Sequence, residues 1–281
     1  MTPPDKPGRL QGILKEMDCA LLALSGGIDS VFLLHISREI LGGRIRAATI
    51  RMPYTLDREV RRANHAAAAM GVRHEEIRLS FSEELRRNPP DHCYLCKRRL
   101  FSRLKERAAE LGILWVMDGT NIDDLGMFRP GLRALREMGI RSPLAEAGLT
   151  KADIRQLARK NGLAGWDLPP DSCLLSRLPV DAPVDVERFR DMEAAEDLFI
   201  AAGFPEIRIR CHGDLARVEA PPEKIPELAK MARKKNLPAR LRRLGFRYIT
   251  VDLEGYRPGT MDGFPARPAR DTINPETVPF G

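Results

Sequence analysis

The first half of the chain alternates between short, solid apolar runs and stretches with helical spacing. Cys19 to Leu24 (Cys-Ala-Leu-Leu-Ala-Leu) is continuous and stops at Ser-Gly-Gly, which predicts a buried parallel strand. Ser30 to Leu41 follows with helical apolar spacing. Arg46 to Met52 predicts a second strand, stopped by Pro53, and Val72 to Leu79 a third. Between them, Asp57 to Met70 reads as an Ala-rich helix closed by Gly71. Lys97 to Leu111 predicts a helix closed by Gly112, and Ile113 to Met117 a fourth strand. Thr150-Lys-Ala-Asp153 is a capping box that opens a helix over Ile154 to Lys160. Strands separated by helices of this length imply an α/β fold, a parallel sheet with helices on both faces.

The pattern changes after Trp166. Asp167 to Val184 holds four prolines and little periodicity, so it reads as an extended loop. Glu187 to Ala201 is an amphipathic helix. Ile207 to Cys211 and Leu215 to Val218 predict strands flanking a His-Gly-Asp turn. A helical stretch spans Pro222 to Leu244, broken by Pro238, and Phe246 to Leu253 predicts a last strand. The expected organisation is a first domain over 1–166, a loop over 167–185, a smaller C-terminal α+β domain over 186–257 and an irregular tail over 258–281.

Composition narrows the function classes. Across 281 residues, 43% are hydrophobic and 30% charged, ordinary values for a globular protein. No apolar run approaches the ~18–20 residues of a membrane helix. The opening Met-Thr-Pro-Pro-Asp-Lys-Pro lacks the apolar core of a secretory signal, so the expectation is a cytoplasmic protein with no membrane partner. The net charge of +7 is local: Lys230 to Arg247 carries eight basic residues and no acidic one, and the rest of the chain holds 38 basic against 39 acidic residues. That segment reads either as a solvated helix face or as a contact for phosphate. Five cysteines without an export signal argue against a disulfide framework and favour metal or thiol chemistry for some of them. Cys19, inside an apolar strand, reads as a core residue.

Four groups of residues carry candidate chemistry. Ser25-Gly26-Gly27-Ile28-Asp29-Ser30 lies between a buried strand and a helix, where glycines let the backbone turn and the free N–H groups of the helix start suit pyrophosphate. It is neither a Walker A loop nor a Gly-x-Gly-x-x-Gly loop. Asp118-Gly119-Thr120-Asn121-Ile122-Asp123-Asp124 follows a strand, at the end where open α/β sheets bind ligands; it reads as an Asn/Asp turn or as a magnesium or substrate loop. Cys93-Tyr-Leu-Cys96-Lys97 can place two thiolates on one metal or cluster, with Cys173 in the Pro-rich loop as the natural third ligand. Arg177 beside Cys173 favours the thiolate. Arg208 and Arg210 alternate with apolar residues, so both guanidiniums share one strand face, either solvated or holding a phosphate.

Ser25 to Ser30 resembles the PP-loop of the ATP pyrophosphatases, whose signature is Ser-Gly-Gly-x-Asp-Ser. Further motifs occur in order: Asn88-Pro-Pro-Asp-His-Cys-Tyr-Leu-Cys-Lys97, Asp118 to Asp124, Phe128-Arg-Pro-Gly-Leu-Arg-Ala134, Arg141-Ser-Pro-Leu-Ala-Glu-Ala-Gly-Leu-Thr-Lys151, Cys173-Leu-Leu-Ser-Arg177 and Arg208 to Glu219. Together, over about Leu21 to Arg257, they are similar to the LarE-type ATP-dependent sulfur transferases that mature the nickel-pincer nucleotide cofactor of lactate racemase. The resemblance implies an adenine nucleotide alpha hydrolase-like PP-loop fold. It implies that ATP, with Mg2+, adenylates a carboxylate of a pyridinium dicarboxylate mononucleotide, and that sulfur then displaces AMP. It carries ATP contacts over to Ser25, Gly26, Gly27, Asp29, Ser30, Thr49, Met52, Gly119 and Thr120, with Asp29 near the magnesium. Catalytic roles fall on Cys173, Asp29, Lys97 and Asp123, and the substrate phosphate on Arg208, Arg210 and Arg177. In some members the cysteine itself surrenders its sulfur; in others three cysteines hold a 4Fe–4S cluster, and Cys93, Cys96 and Cys173 fit that version. Tyr54-Thr-Leu departs from the Ser-Pro-type sequence that usually follows the second strand. The resemblance further implies a homo-oligomer, commonly a hexamer. The rivals are a tRNA-thiolating PP-loop enzyme, supported by the basic segment, and an ATP-binding regulatory domain. No added RNA-binding module is visible, which counts against a nucleic-acid substrate.

Overall fold

The computed structural model describes residues 5–126 and 130–257. The expected tail over 258–281 lies outside the described residues, as do residues 127–129, which include Phe128 and Arg129 of the Phe-Arg-Pro-Gly motif.

Helix α1 (Lys6–Lys15) leads into strand β1 (Ala20–Ala23), helix α2 (Ile28–Leu41), strand β2 (Ile45–Arg51), helix α3 (Asp57–Ala69), strand β3 (Arg73–Arg78), helix α4 (His92–Glu110) and strand β4 (Trp115–Met117). The four strands form one parallel sheet in the order β3-β2-β1-β4. Side chains alternate between its faces, as the two-residue strand period requires. Leu21, Ala48, Ile50 and Val116 enter one core with Phe101 and Leu104 of α4. Ala20, Leu22, Ile45, Ala47 and Met117 enter the other, with α1, α2 and Ala63 and Ala67 of α3. The α/β reading with helices on both faces therefore holds. β3 is an edge strand, which is why its Arg-His-Glu-Glu-Ile-Arg sequence is tolerated.

Four helices follow: α5 (Ile122–Leu125), α6 (Pro130–Glu137), α7 (Pro143–Glu146) and α8 (Lys151–Lys160), the last opened by the expected Thr150–Asp153 capping box. A single 3-10 turn, Leu174–Arg177, interrupts the Pro-rich loop. Helix α9 (Arg188–Ile200) then packs on a second, three-stranded sheet. This comprises β5 (Arg208–His212) antiparallel to β6 (Leu215–Glu219), and β6 parallel to β7 (Tyr248–Val251), with α10 (Ile225–Lys234) and α11 (Leu237–Arg243) in the β6–β7 connection. Its apolar face joins the core under β2 and α4, so Phe189, Met192, Ile209 and Cys211 continue the cluster that contains Ile50 and Leu104.

Three details differ from the sequence reading. Helix α4 starts at His92, not Lys97, so Cys93 and Cys96 sit in its first turns; the His92 N–H closes on the Pro89 carbonyl at 2.9 Å and starts the helix early. The break between α10 and α11 falls at Asn236, whose φ is +51°, and not at Pro238. Pro238 lies in the first turn of α11, where its missing N–H costs nothing. Helices α1, α5, α6 and α7 were not legible as elements; α1 buries only Leu10 and Leu14, too sparse a stripe to stand out.

Candidate active site

The strand order reverses between β1 and β4, the switch point at which open α/β sheets bind ligands in the crevice outside the strands' C-terminal ends. One wall is the loop from Ser25 to Ser30. Gly26 has φ +81°, and a Cβ there would lie 2.1 Å from the Glu59 carbonyl oxygen of α3, so no side chain fits. Ser25 Oγ lies 3.1 Å from Ser30 Oγ, and the Gly27 N–H donates to Ser25 Oγ at 3.3 Å. Gly27 is the N-cap of α2 and contributes no side chain, so the first amides of the helix face the crevice uncapped.

Asp29, in the first turn of α2, has its Oδ2 2.5 Å from Lys151 Nζ. Its Oδ1 is buried and has no hydrogen-bond partner among the described residues. Burial raises the Asp29 carboxyl above its usual range despite the pull of Lys151. An orphaned carboxylate oxygen beside a phosphate-type loop fits a hard cation such as magnesium. Lys151 also donates its backbone N–H to Asp123 Oδ2 at 2.8 Å, and so joins both acids. The sequence reading took this segment as a helix start and as part of the Arg141 to Lys151 motif, without a role for Lys151; the capping box that fixes Lys151 at the first turn of α8 was the signal that could have found it.

The opposite wall is the loop after β4. A Cβ on Gly119 would lie 2.8 Å from the Ser30 backbone nitrogen, so the two loops touch. Asp118 accepts from Thr120 Oγ1 at 2.6 Å and Ser142 Oγ at 2.7 Å, and Lys97 Nζ stands 3.8 Å from it. At the end of β2, Thr49 is buried and donates to the Leu24 carbonyl at 2.6 Å, and Met52 is buried as well. Both side chains have partners within the protein: Thr49 Oγ1 also lies 2.8 Å from His74 Nε2, and Met52 Sδ takes the Tyr54 hydroxyl.

Cys96 and Cys173 are half-buried and Cys93 is exposed. The Tyr54 hydroxyl lies 3.4 Å from Cys96 Sγ and 2.9 Å from Met52 Sδ, and the Tyr54 carbonyl accepts from Leu174 N–H at 3.1 Å. The departure at Tyr54 thus joins Cys96 to the Cys173 turn. Burial, then the neighbouring Cys173, pushes the Cys96 thiol up to about 11. Cys173 is raised too: burial outweighs the Ser176 amide and the Arg177 charge. Arg177 favours the thiolate as expected, but it does not prevail. Asn88, at φ +45°, gives its Nδ2 to the carbonyls of Leu175, Leu178 and Pro179 at 3.0–3.3 Å, so the Asn-Pro-Pro motif anchors the cysteine turn. Among the described residues no three His, Cys, Asp or Glu side chains form a group able to hold a metal ion. The three cysteines are not a preassembled cluster site.

Arg208 and Arg210 share one face of β5, as their spacing requires, but neither is solvated; both are buried beneath the Tyr256 ring, 5.4 and 6.0 Å from its centroid. Arg210 donates to Glu219 at 2.8 Å and to the Ser176 carbonyl at 2.8 Å. Arg208 reaches the Pro170 carbonyl, and its Nε is buried with no partner among the described residues. Arg177 and Glu196 are fully buried and paired at 2.8 Å. Asp171, two residues before Cys173, accepts from Arg58 and Arg62; although burial opposes it, these arginines hold its carboxyl at about 2. Sequence reasoning missed Arg58 and Glu196, whose partners are more than a hundred residues away or on a different element. The eight cations of Lys230 to Arg247 are all exposed.

The asparagine synthase family model matches residues 20–102, the segment that contains the Ser25–Ser30 loop. The chain is 34% identical to the pyridinium-3,5-bisthiocarboxylic acid mononucleotide synthase of Lactiplantibacillus plantarum, over 92% of this chain and 94% of that one. It is 36% identical to the uncharacterized protein slr1717 of Synechocystis, over 90% and 95%, and 30% identical to the uncharacterized protein MJ0830 of Methanocaldococcus jannaschii, over 84% and 90%. No helix among the described residues is long and apolar enough to cross a membrane. Matched almost end to end with that synthase, and carrying its loop at the switch point of a parallel sheet, the chain belongs to the LarE family of ATP-dependent sulfur transferases within the PP-loop superfamily.

Proposed function

We propose that the protein converts a carboxylate of pyridinium-3,5-biscarboxylic acid mononucleotide to a thiocarboxylate, in maturation of the nickel-pincer cofactor. The observation that carries this reading is that one helix turn, the start of α3, touches both the Ser25–Ser30 loop and the Cys173 loop. ATP would lie with its phosphates on the amides at Gly27 to Asp29, with Lys151 and the free Asp29 oxygen beside them. Magnesium held by Asp29 would offset phosphate charge. The substrate carboxylate oxygen attacks the α-phosphorus, the bond to pyrophosphate breaks, and an acyl adenylate forms. A sulfur nucleophile then adds to the carbonyl carbon and the bond to AMP breaks. Lys97 and Asp123 flank the crevice. The substrate phosphate would meet Arg208, whose Nε is unpaired, with Arg210 and Arg177 behind it.

For the sulfur source, the 4Fe–4S reading rests on the presence of Cys93, Cys96 and Cys173, the first two one turn apart on α4. Such a cluster would supply added sulfide. The link of Cys96 to the Cys173 turn through Tyr54 supports two of its three ligands; Cys93 would have to turn inward. Otherwise Cys173 gives up its own sulfur: its thiolate takes the acyl group, its Cα proton leaves, the Cβ–S bond breaks and dehydroalanine remains. Anaerobic reconstitution separates the two. Cluster absorbance lost in Cys93→Ala and Cys96→Ala supports the first; no cluster, with a protein mass loss of one hydrogen sulfide per turnover, supports the second. A homo-oligomer is part of this reading, supported by Tyr248 and Leu253, 57% and 87% exposed at the end of the second sheet.

A second reading, tRNA thiolation, draws on the exposed cations of α10 and α11. Gel shift with bulk tRNA at varied salt tests it: no retardation at low salt excludes it.

A further inference from the structure

The first turn of α3 is bonded on three sides. Leu56, its N-cap, has no side-chain acceptor for the free amides of the helix start. Glu193 of α9 takes that place: its two carboxylate oxygens accept from the backbone N–H groups of Asp57 at 3.0 Å and Arg58 at 3.1 Å. The Arg58 side chain then forks. Its Nη2 and Nε donate to the two oxygens of Asp171 at 3.0 and 3.4 Å, Nη2 also reaches Glu196 at 2.5 Å, and Nη1 reaches Asp197 at 3.2 Å. The next residue, Glu59, sets its carbonyl against Gly26 so closely that a Cβ would have no room. Three consecutive residues thus touch the ATP-type loop, the segment that carries Cys173 and the C-terminal helix.

We infer that Arg58 is a positioning residue that holds the Asp171–Cys173 segment in register with the Ser25–Ser30 loop, so that an acyl group activated at one loop meets sulfur at the other. Arg58 need not touch substrate. It acts through Asp171, two residues from the cysteine, and through the rigid first turn of α3. Three carboxylates converge on this one guanidinium, and a planar fork with five donors can satisfy them together where an ammonium cannot. The buried Arg177–Glu196 pair and the Asn88 anchor hold the far side of the same loop, so the loss of Arg58 would loosen only its Asp171 end, leaving Asp171 to Arg62 alone on α3.

This inference rests on the sulfur-transfer reading above, and the experiment separates the two. Arg58→Gln, Arg58→Lys and Asp171→Asn are compared with the parent protein. Each is assayed for pyrophosphate release with the dicarboxylate mononucleotide, for thiocarboxylate formed, and for the rate of Cys173 alkylation by iodoacetamide, read by peptide mass. The expected result is pyrophosphate release little changed in R58Q, thiocarboxylate down about 100-fold, the scale of a misplaced reacting group, and faster Cys173 alkylation. D171N should behave alike, the double variant no worse than either single, and R58K should recover part of the coupling because it keeps the charge. Equal losses in both half-reactions, or an unchanged alkylation rate, would overturn the inference. A parent protein inert toward the dicarboxylate would sink the functional reading alone; the alkylation rates would still decide the role of Arg58.

Discussion

Lys151 Nζ lies 2.5 Å from Asp29 Oδ2, across 122 residues of chain, and ties the start of α8 to the loop after β1. The pair is partly exposed rather than sealed, so an ATP phosphate can take Lys151 and a cation can take Asp29 without unfolding anything. Lys151→Met should therefore raise the Kd for ATP at least tenfold while leaving thermal stability within about 1 kcal/mol, as for other exposed pairs. Calorimetric titration with ATP and a melting curve test this; unchanged affinity would remove Lys151 from the site.

Gly26→Ala should abolish nucleotide binding. The Cβ would collide with the Glu59 carbonyl at 2.1 Å, and the φ of +81° is strained for alanine. Gly119→Ala, with its Cβ 2.8 Å from the Ser30 nitrogen, should push the two walls apart and weaken binding as well. Wild-type ATP affinity in either variant would mean that the loops do not form the site.

Arg177 and Glu196 test the buried network. Each is fully buried, and Glu196 also accepts from the Ile209 N–H at 3.1 Å. Glu196→Ala leaves the buried Arg177 without its carboxylate and should cost about 3–5 kcal/mol in denaturant unfolding, while Arg177→Ala should cost less because Glu196 keeps Arg58 at 2.5 Å. A loss below about 1 kcal/mol would show that water reaches the pair.

The Glu59 carboxyl is raised to about 7 by burial, then by Asp171. A carboxyl that is harder to ionise in the fold contributes stability below its unfolded value of about 4.5, and that contribution is lost as pH rises through 7. Glu59→Gln should therefore gain most at pH 8, by up to about 3 kcal/mol, and little at pH 4. Equal effects at both pH values would contradict this placement. The raised thiols give a parallel sign: alkylation of Cys96 and Cys173 should rise about tenfold per pH unit from 7 to 9, because both start protonated.

Much of the fold was legible because its signals are local. The apolar run ending at Leu24, the Gly-Gly turn and the Thr150 capping box each decide their own neighbourhood. The candidate site was legible in its loops but not in its joints. Arg58 looks like any polar residue on an amphipathic helix, and its three carboxylates are at positions 171, 196 and 197. Arg208 and Arg210 announced a common face, yet spacing alone does not tell a solvated face from a buried one. The helix was expected only from Lys97; its start at His92 places Cys93 and Cys96 one turn apart on α4, with Cys93 exposed.

The central claim is that activation at the Ser25–Ser30 loop feeds sulfur transfer at Cys173. Mass analysis of product from the dicarboxylate mononucleotide, ATP, magnesium and sulfide tests it most directly, with Cys173→Ala run beside the parent protein. The account predicts that the parent exchanges a carboxylate oxygen for sulfur, while Cys173→Ala still releases pyrophosphate but yields no sulfur-containing product. A thiocarboxylate formed at the parent rate by Cys173→Ala, or no pyrophosphate released by either protein, would contradict it.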